Sequence, residues 1–183
     1  MNKMNSKTLK NEADLLLKKT DLLETLSKYG EVFIRGSYEL DLMVDGDVDI
    51  YVVNNKLNKE LAVKALNELV NKNDFRGYLF YDFVKRRRKG FPKGYYLGAK
   101  TRFKNKKWKI DIWFMNEMDK VSDGLMGFVK KNMDEKSKSV ILKIKKECKD
   151  RKLDVSSHLV YLAVLKKGVK SYSSFVDSLS ETK

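Results

Sequence analysis

An alternating segment at residues 47–52 is the feature that most restricts how this chain can fold. It reads DVDIYV, so apolar residues recur at every second position. Because successive side chains of a strand point to opposite faces, the three apolar residues face a core, while Asp47 and Asp49 share the other face. The segment therefore predicts a strand with one buried face.

Hydrophobic spacing and turn residues predict the remaining elements. The first is a helix that ends at Gly30. Nearer the C-terminus, the sequence predicts helix N-caps at Asp134 and Ser156 and a helix end at Gly168. The predicted elements are a helix over 8–29, strands over Glu31–Arg35 and 47–52, a helix over 57–70, strands over 78–84, Tyr95–Phe103 and 107–115, and then helices. Three polar residues separate the last two strands, which predicts an antiparallel hairpin. This order predicts an α/β (α+β) fold, a short mixed β-sheet with flanking helices.

Length and composition narrow the class of protein. The chain has 183 residues, and domains typically contain roughly 100 to 200. We expect a core over 1–117 and a C-terminal helical module over 118–183, packed on the core as one structural unit. A single cysteine and a single histidine exclude a disulfide-stabilised mini-protein and a structural zinc site. No apolar run approaches the roughly 18 to 20 residues of a membrane span, and the start lacks a signal-peptide core. The expected location is the cytoplasm.

Charge favours a polyanionic partner. The chain has 39 basic and 25 acidic residues and a formal net charge of +14. Such an excess favours nucleic acid, nucleotides or an acidic surface. A lysine-rich composition also arises by drift, so the charge alone leaves both interpretations open.

The paired carboxylates are the first candidate site. At about 4 Å, two like charges repel by roughly 1 kcal/mol in water and by about 4 kcal/mol at an effective dielectric constant near 20. A divalent cation would remove this cost, and carboxylate oxygens are the ligands that Mg²⁺ prefers. The alternative is that Asp47 and Asp49 only form the solvated face of a half-buried strand.

Two further segments add to this site. Gly36 and Ser37 directly follow an apolar strand, and they offer backbone N–H groups and a hydroxyl to phosphate oxygens, although a plain turn contains the same pair. Asp111 lies within the strand 107–115 and shares its predicted face with Lys109 and Trp113. A buried carboxylate needs compensation by Lys109, another cation or a metal. The alternative is that this strand is a solvated edge.

This combination of motifs resembles the DNA polymerase beta-like nucleotidyltransferase superfamily over roughly residues 32–114, as a small stand-alone member. The resemblance implies a sheet of the nucleotidyltransferase type, on which Asp47 and Asp49 bind catalytic Mg²⁺ or Mn²⁺ and Asp111 completes the site. Gly36 and Ser37 would hold the triphosphate of a nucleoside triphosphate (NTP), with Arg35 and Lys109 as further nucleotide-binding candidates. Asp111 would also accept the proton of the attacking hydroxyl.

The reaction implied is transfer of a nucleoside monophosphate from an NTP to a hydroxyl acceptor, with release of pyrophosphate. The charge favours an RNA or tRNA 3′ end as acceptor, and a protein or antibiotic hydroxyl is the alternative. Some superfamily members are toxins of toxin–antitoxin pairs, so a cognate toxin or antitoxin is a possible partner. A second hypothesis is a non-catalytic binding subunit with the same fold. The basic C-terminal helices are interpreted as solvated rather than membrane-bound.

Several residues near these motifs have weaker interpretations. The basic segment 86–89 either neutralises phosphates or is merely solvated, and the aromatic residues of 94–98 either stack on a base or pack. We expect Trp113 to pack in the core. Segment 45–56 lacks the glycine and glutamate of an EF-hand loop. His158 and Cys148 have no evident chemical partner.

Overall fold

The computed structural model describes residues 6–88 and 90–180. Within these ranges the chain divides into two compact units, with the division between Lys120 and Val121. Lys89, the last residue of the basic segment, lies outside the described residues.

The first unit contains a five-stranded mixed sheet and four helices among its described residues. The order of its elements is α1 (Ser6–Lys19), α2 (Leu22–Ser27), β1 (Glu31–Arg35), α3 (Gly36–Glu39), β2 (Asp47–Val53), α4 (Lys59–Lys72), β3 (Gly77–Asp82), β4 (Tyr95–Phe103) and β5 (Lys106–Met115). The strands lie in the order β1-β2-β5-β4-β3. Only β2 and β5 are parallel neighbours among these strands, and the other three pairs are antiparallel. This architecture confirms the predicted fold class and the predicted β4–β5 pairing.

One face of the sheet is the core of this unit. Its apolar side chains come from β2, β4 and β5, and they form one cluster with buried residues of α1, α2 and α4. Val48, Ile50 and Val52 are fully buried, whereas Asp47, Asp49 and Tyr51 between them are half-buried. The alternation in the sequence therefore divides core from surface as predicted.

The prediction of one long helix over 8–29 is wrong, because α1 and α2 are separate helices. Asp21 adopts a left-handed backbone conformation with φ of 45°, which interrupts a right-handed helix. The Thr20 hydroxyl donates to the carbonyl oxygens of Leu16 at 2.9 Å and Leu17 at 3.2 Å. The backbone of α1 thus ends before Leu22, although the apolar spacing continues across the break.

The second unit is helical throughout its regular elements. It contains most of α5 (Lys120–Asn132), followed by α6 (Glu135–Asp150), α7 (Ser157–Lys167) and α8 (Tyr172–Ser180). The predicted caps are confirmed: Asp134 and Ser137 form a capping box at α6, Ser156 caps α7, and Gly168 ends α7 with φ of 70°. Among the described residues, no helix is both long and apolar enough to cross a bilayer.

Truncating the core of the central strand tests this packing. We expect Ile112→Ala to lower the free energy of unfolding by about 2 to 5 kcal/mol, because it removes fully buried methyl and methylene groups and leaves a cavity. Leu15→Ala in α1 is the control, since Leu15 is 46% exposed, and its effect should stay within about 0.5 kcal/mol. Urea unfolding followed by tryptophan fluorescence reports on this unit, because both tryptophans lie in β5. Equal losses for the two variants would contradict the assignment of this core face.

Candidate active site

The face of the sheet opposite the core cluster is organised in rows by the strand register. Asp49 is the direct partner of Asp111 across β2 and β5, and Asp47 is the partner of Lys109. Because β2 and β5 are parallel and both alternate, these four side chains share one face. Residues that are 62 positions apart in the chain are thereby brought side by side.

Asp111 lies in the middle of the sheet and is only 8% exposed. The alternative prediction of a solvated edge strand is therefore wrong. The Tyr96 hydroxyl donates to Oδ1 of Asp111 at 2.6 Å, and Lys109 Nζ donates to Oδ2. These two hydrogen bonds provide the compensation that a buried carboxylate requires.

Lys109 is the internal counter-ion of the carboxylates. Burial lowers its pKa, but the hydrogen bond to Asp111 and the charges of Asp47, Asp111 and Asp49 outweigh burial and raise the pKa above its usual value. All three carboxylates thus act on one ammonium group. At neutral pH Lys109 is charged, so this face carries a positive charge among its acids.

Tyr96 is held in its protonated form by the same group of acids. Burial is the largest cause of its raised pKa, followed by the hydrogen bond to Asp111 and by the negative charges of all three carboxylates. Gly98 provides the space for this contact, since a Cβ at Gly98 would lie 2.5 Å from the Tyr96 hydroxyl oxygen. The sequence of segment 94–98 predicts only packing or base stacking for Tyr96, and it gives no signal for this hydrogen bond.

Gly36 lies directly against Asp49. A Cβ at Gly36 would lie 2.1 Å from Oδ2 of Asp49, and the backbone of Gly36 has φ of 66°, which L side chains rarely adopt. Gly36 is also the first residue of α3, a four-residue helix that the sequence did not predict. Ser37 follows it in α3 and is half-buried. The structure therefore brings the Gly-Ser pair and the Asp-x-Asp pair together.

Arg35 adds a second cation to this face. It is the strand partner of Asp49 across β1 and β2, and its side chain is largely buried. Its Nη1 lies 3.4 Å from Oε1 of Glu39. The positive charge of Arg35 is thus shared with an acid of α3.

Aromatic side chains form the next row of the same face. Tyr51, Trp113, Tyr96 and Tyr81 are successive partners on β2, β5, β4 and β3. Trp113 is 6% exposed, and its ring centroid lies 5.1 Å from that of Tyr96 and 5.4 Å from that of Phe83. Trp113 therefore packs as expected, but it packs among the aromatic rings of this face and not in the core cluster.

The described residues contain no group of three or more His, Cys, Asp or Glu side chains positioned to hold a metal ion. The donor chemistry is nevertheless suitable, because Asp47, Asp49 and Asp111 offer the carboxylate oxygens that Mg²⁺ and Mn²⁺ accept. Lys109 occupies the place of a cation beside these acids, since its ammonium donates to Asp111 and interacts with all three. A metal ion bound at these residues would compete with Lys109 for Asp111.

Comparison with known proteins establishes the fold. No protein-family model matches the chain, and no curated protein matches it. Solved structures that match include a GLD-2/RNP-8 complex, with a TM-score of 0.55 and 12% identity over 85% of this chain. A poly(A) polymerase complex of GLD-2 and GLD-3 matches with a TM-score of 0.53 and 12% identity over 84% of this chain. This chain covers 58% and 52% of those two chains. Both neighbours have a nucleotidyltransferase fold, which supports the resemblance at the level of fold.

The contact between Gly36 and Asp49 can be tested by a single added carbon. We expect Gly36→Ala to lower the free energy of unfolding by about 1 to 3 kcal/mol, because the backbone is strained for alanine and the Cβ collides with Asp49. Gly77→Ala is the matched control, since no atom lies within 4 Å of a Cβ there. Urea unfolding by tryptophan fluorescence measures both variants. A Gly36→Ala protein as stable as Gly77→Ala would mean that Asp49 does not lie against Gly36.

Proposed function

We propose that this protein transfers a nucleoside monophosphate from an NTP to a hydroxyl acceptor and releases pyrophosphate. The observation that carries the proposal is the register of β2 and β5, which aligns Asp49 with Asp111 beside Asp47. The contact between Asp49 and Gly36 joins the two halves of the motif and supports the same function. The nucleotidyltransferase fold of the structural neighbours is consistent with it.

Each site residue has a role in this proposal. Asp47 and Asp49 would hold Mg²⁺ or Mn²⁺, with Asp111 as a further ligand. The bound cation would neutralise the phosphoryl oxygens and lower the repulsion among the carboxylates. Gly36 and Ser37 contact the triphosphate, Gly36 because it has no side chain to obstruct the phosphate oxygens and Ser37 through its hydroxyl.

The chemical step needs one proton acceptor. The acceptor hydroxyl oxygen attacks the α-phosphorus, the bond from that phosphorus to the β-phosphate bridging oxygen breaks, and pyrophosphate leaves. Asp111 accepts the hydroxyl proton. The hydrogen bonds from Tyr96 and Lys109 fix the orientation of the Asp111 carboxylate. Lys109 and Arg35 are cations beside the acids, and they contact the phosphates of the nucleotide.

The acceptor in this proposal is an RNA or tRNA 3′ hydroxyl. The net charge of +14 favours a polyanionic acceptor over a protein or antibiotic hydroxyl. A protein partner, such as a cognate toxin or antitoxin, is also part of the proposal, because both structural neighbours are protein complexes.

One observation favours the second hypothesis, a non-catalytic subunit with the same fold. Both oxygens of Asp111 already accept hydrogen bonds from the protein, and Lys109 already offsets part of the negative charge of the acids. A permanently neutralised site would be structural rather than catalytic. The two hypotheses differ in whether Mg²⁺ can replace Lys109 beside Asp111.

Replacing the internal counter-ion tests this competition. We expect Lys109→Met to raise the affinity for Mg²⁺, because the three carboxylates then lack their ammonium partner. Differential scanning fluorimetry in EDTA and in Mg²⁺ should give a larger Mg²⁺-dependent increase in Tm for Lys109→Met than for wild type. Lys64→Met is the control, because Lys64 is exposed on α4, which packs on the other face of the sheet, and its Mg²⁺ response should match wild type. No Mg²⁺ response in any of the three proteins would contradict the metal assignment.

A label-transfer assay tests the reaction itself. Purified protein is incubated with each α-labelled NTP, Mg²⁺ and either total RNA or RNA-free lysate. We expect wild type to transfer label, and Asp47→Asn/Asp49→Asn to lose at least about a hundredfold of this activity, because both proposed metal ligands are removed. Asp74→Asn changes an exposed acid outside the site and should retain activity.

Digestion then identifies the acceptor. Nuclease-sensitive label identifies RNA, protease-sensitive label identifies a protein, and label in neither fraction identifies a small molecule. Transfer at the wild-type rate by the double variant would contradict the proposed site, and no transfer by wild type would favour the non-catalytic subunit.

A further inference from the structure

The face that carries the carboxylates also carries cations that the proposed reaction does not use. Lys100 is the direct strand partner of Lys109, and Arg102 is the direct partner of Lys107, across β4 and β5. Like charges directly opposite each other destabilise a strand pair. Among the described residues, no ion pair involves Lys100, Arg102 or Lys107. This part of the sheet therefore concentrates positive charge.

These cations surround a cavity of about 640 Å³, which we call the basic cavity. Asp45 and Asp47 also line it. The cations that line it are Arg76, Lys100, Arg102, Lys107 and Lys109. The volume lies within the range of about 300 to 1,000 Å³ that is usual for ligand sites. Because cations outnumber acids in its lining, the ligand that fits it is anionic.

Exposed aromatic rings lie on the same face, on the opposite side of the acids from the basic cavity. Tyr81 on the edge strand β3 is 50% exposed, and Phe91, after the basic segment, is 44% exposed. Phe83 joins them, with its ring centroid 5.7 Å from Tyr81 and 5.6 Å from Phe91. The guanidinium of Arg88 lies 4.9 Å from the centre of the Phe91 ring. Exposed rings beside cations are the combination that binds single-stranded nucleic acid by base stacking.

We propose that this face binds a single-stranded nucleic acid, with its phosphates in the basic cavity and its bases on Tyr81 and Phe91. A single strand fits better than a duplex, because the bases of a duplex are already stacked on one another and cannot reach the aromatic rings. Gly77 and Tyr81 lie four residues apart on β3, which spans about 13 Å at roughly 3.3 Å per residue. A strand bound along this span crosses the row of carboxylates. This inference rests on the proposed function in one respect only, namely that the bound single-stranded nucleic acid is the acceptor of the nucleotide.

The test is fluorescence anisotropy of a labelled single-stranded oligoribonucleotide, in EDTA and without NTP, on the full chain. We expect Lys100→Glu/Arg102→Glu to weaken binding by at least about tenfold. The slope of log affinity against log salt concentration should become shallower by about 1.4, at roughly 0.7 per phosphate contact in a single strand. Lys100→Gln/Arg102→Gln is the second variant, with the same direction of effect and a smaller risk to the strand pairing.

The matched control is Lys18→Glu/Lys64→Glu, which changes the net charge by the same amount. Both lysines are exposed on α1 and α4, the helices that pack on the other face of the sheet. At physiological salt this control should lose less than about threefold, because distant surface charges are screened. In a separate arm, Tyr81→Ala/Phe91→Ala should weaken binding by about tenfold without changing the salt slope, because base stacking is lost and the phosphate contacts remain.

Three results would overturn the inference. The first is the absence of oligonucleotide binding by wild type, and the second is an equal loss for Lys100→Glu/Arg102→Glu and the control. The third is that ATP displaces the oligonucleotide and that the protein binds an oligonucleotide no more tightly than a mononucleotide. In that case the basic cavity would hold only a triphosphate. The binding assay needs neither metal nor turnover, so a failure of label transfer would not contradict the proposed binding of a single strand. Conversely, an absence of oligonucleotide binding would not contradict nucleotide transfer to another acceptor.

Discussion

The parallel pairing of β2 with β5 is the constraint on which the site depends. It places Asp49 beside Asp111 and Asp47 beside Lys109, although the two strands are far apart in the chain. A slip of one residue in this register would turn one set of acids into the core, because side chains alternate between faces. The fully buried Val48, Ile50, Ile110 and Ile112 on the other face prevent that slip. The hydrophobic core therefore fixes the positions of the charged groups.

The charge balance of the site follows from this register. Three carboxylates on one face would repel each other, and the protein meets this cost with the ammonium of Lys109 and the hydroxyl of Tyr96. Lys109 also lines the basic cavity, so this one side chain contacts the carboxylates and borders the cluster of cations. A cation at this position can exchange one anionic partner for another. This makes Lys109 the residue through which a phosphate or metal ligand would change the electrostatics of the whole face.

Most of the sheet could be predicted from the sequence, because its signals are local. Alternation defined β2, a short apolar run defined β1, and the polar break between β4 and β5 predicted their pairing. The break between α1 and α2 could not be predicted from apolar spacing, since it arises from the backbone conformation of Asp21. The helix α3 was missed because four residues give no periodic pattern. The roles of Asp47, Asp49, Asp111, Gly36, Ser37, Arg35 and Lys109 remain predictions, although the structure brings these residues to neighbouring positions.

The basic and aromatic rows could not be predicted, because neither is a motif in the chain. Lys100 and Lys109 become neighbours only through the β4–β5 pairing, and Tyr81 joins Tyr96 and Trp113 only through three paired strands. A motif of three acids and a glycine predicts a class of reaction, since the chemistry needs those groups at fixed spacing. What the reaction acts on depends on side chains that the register gathers around the motif. The order of cations, carboxylates and aromatic rings across one face is therefore the basis for the proposed acceptor, which the motif alone does not indicate.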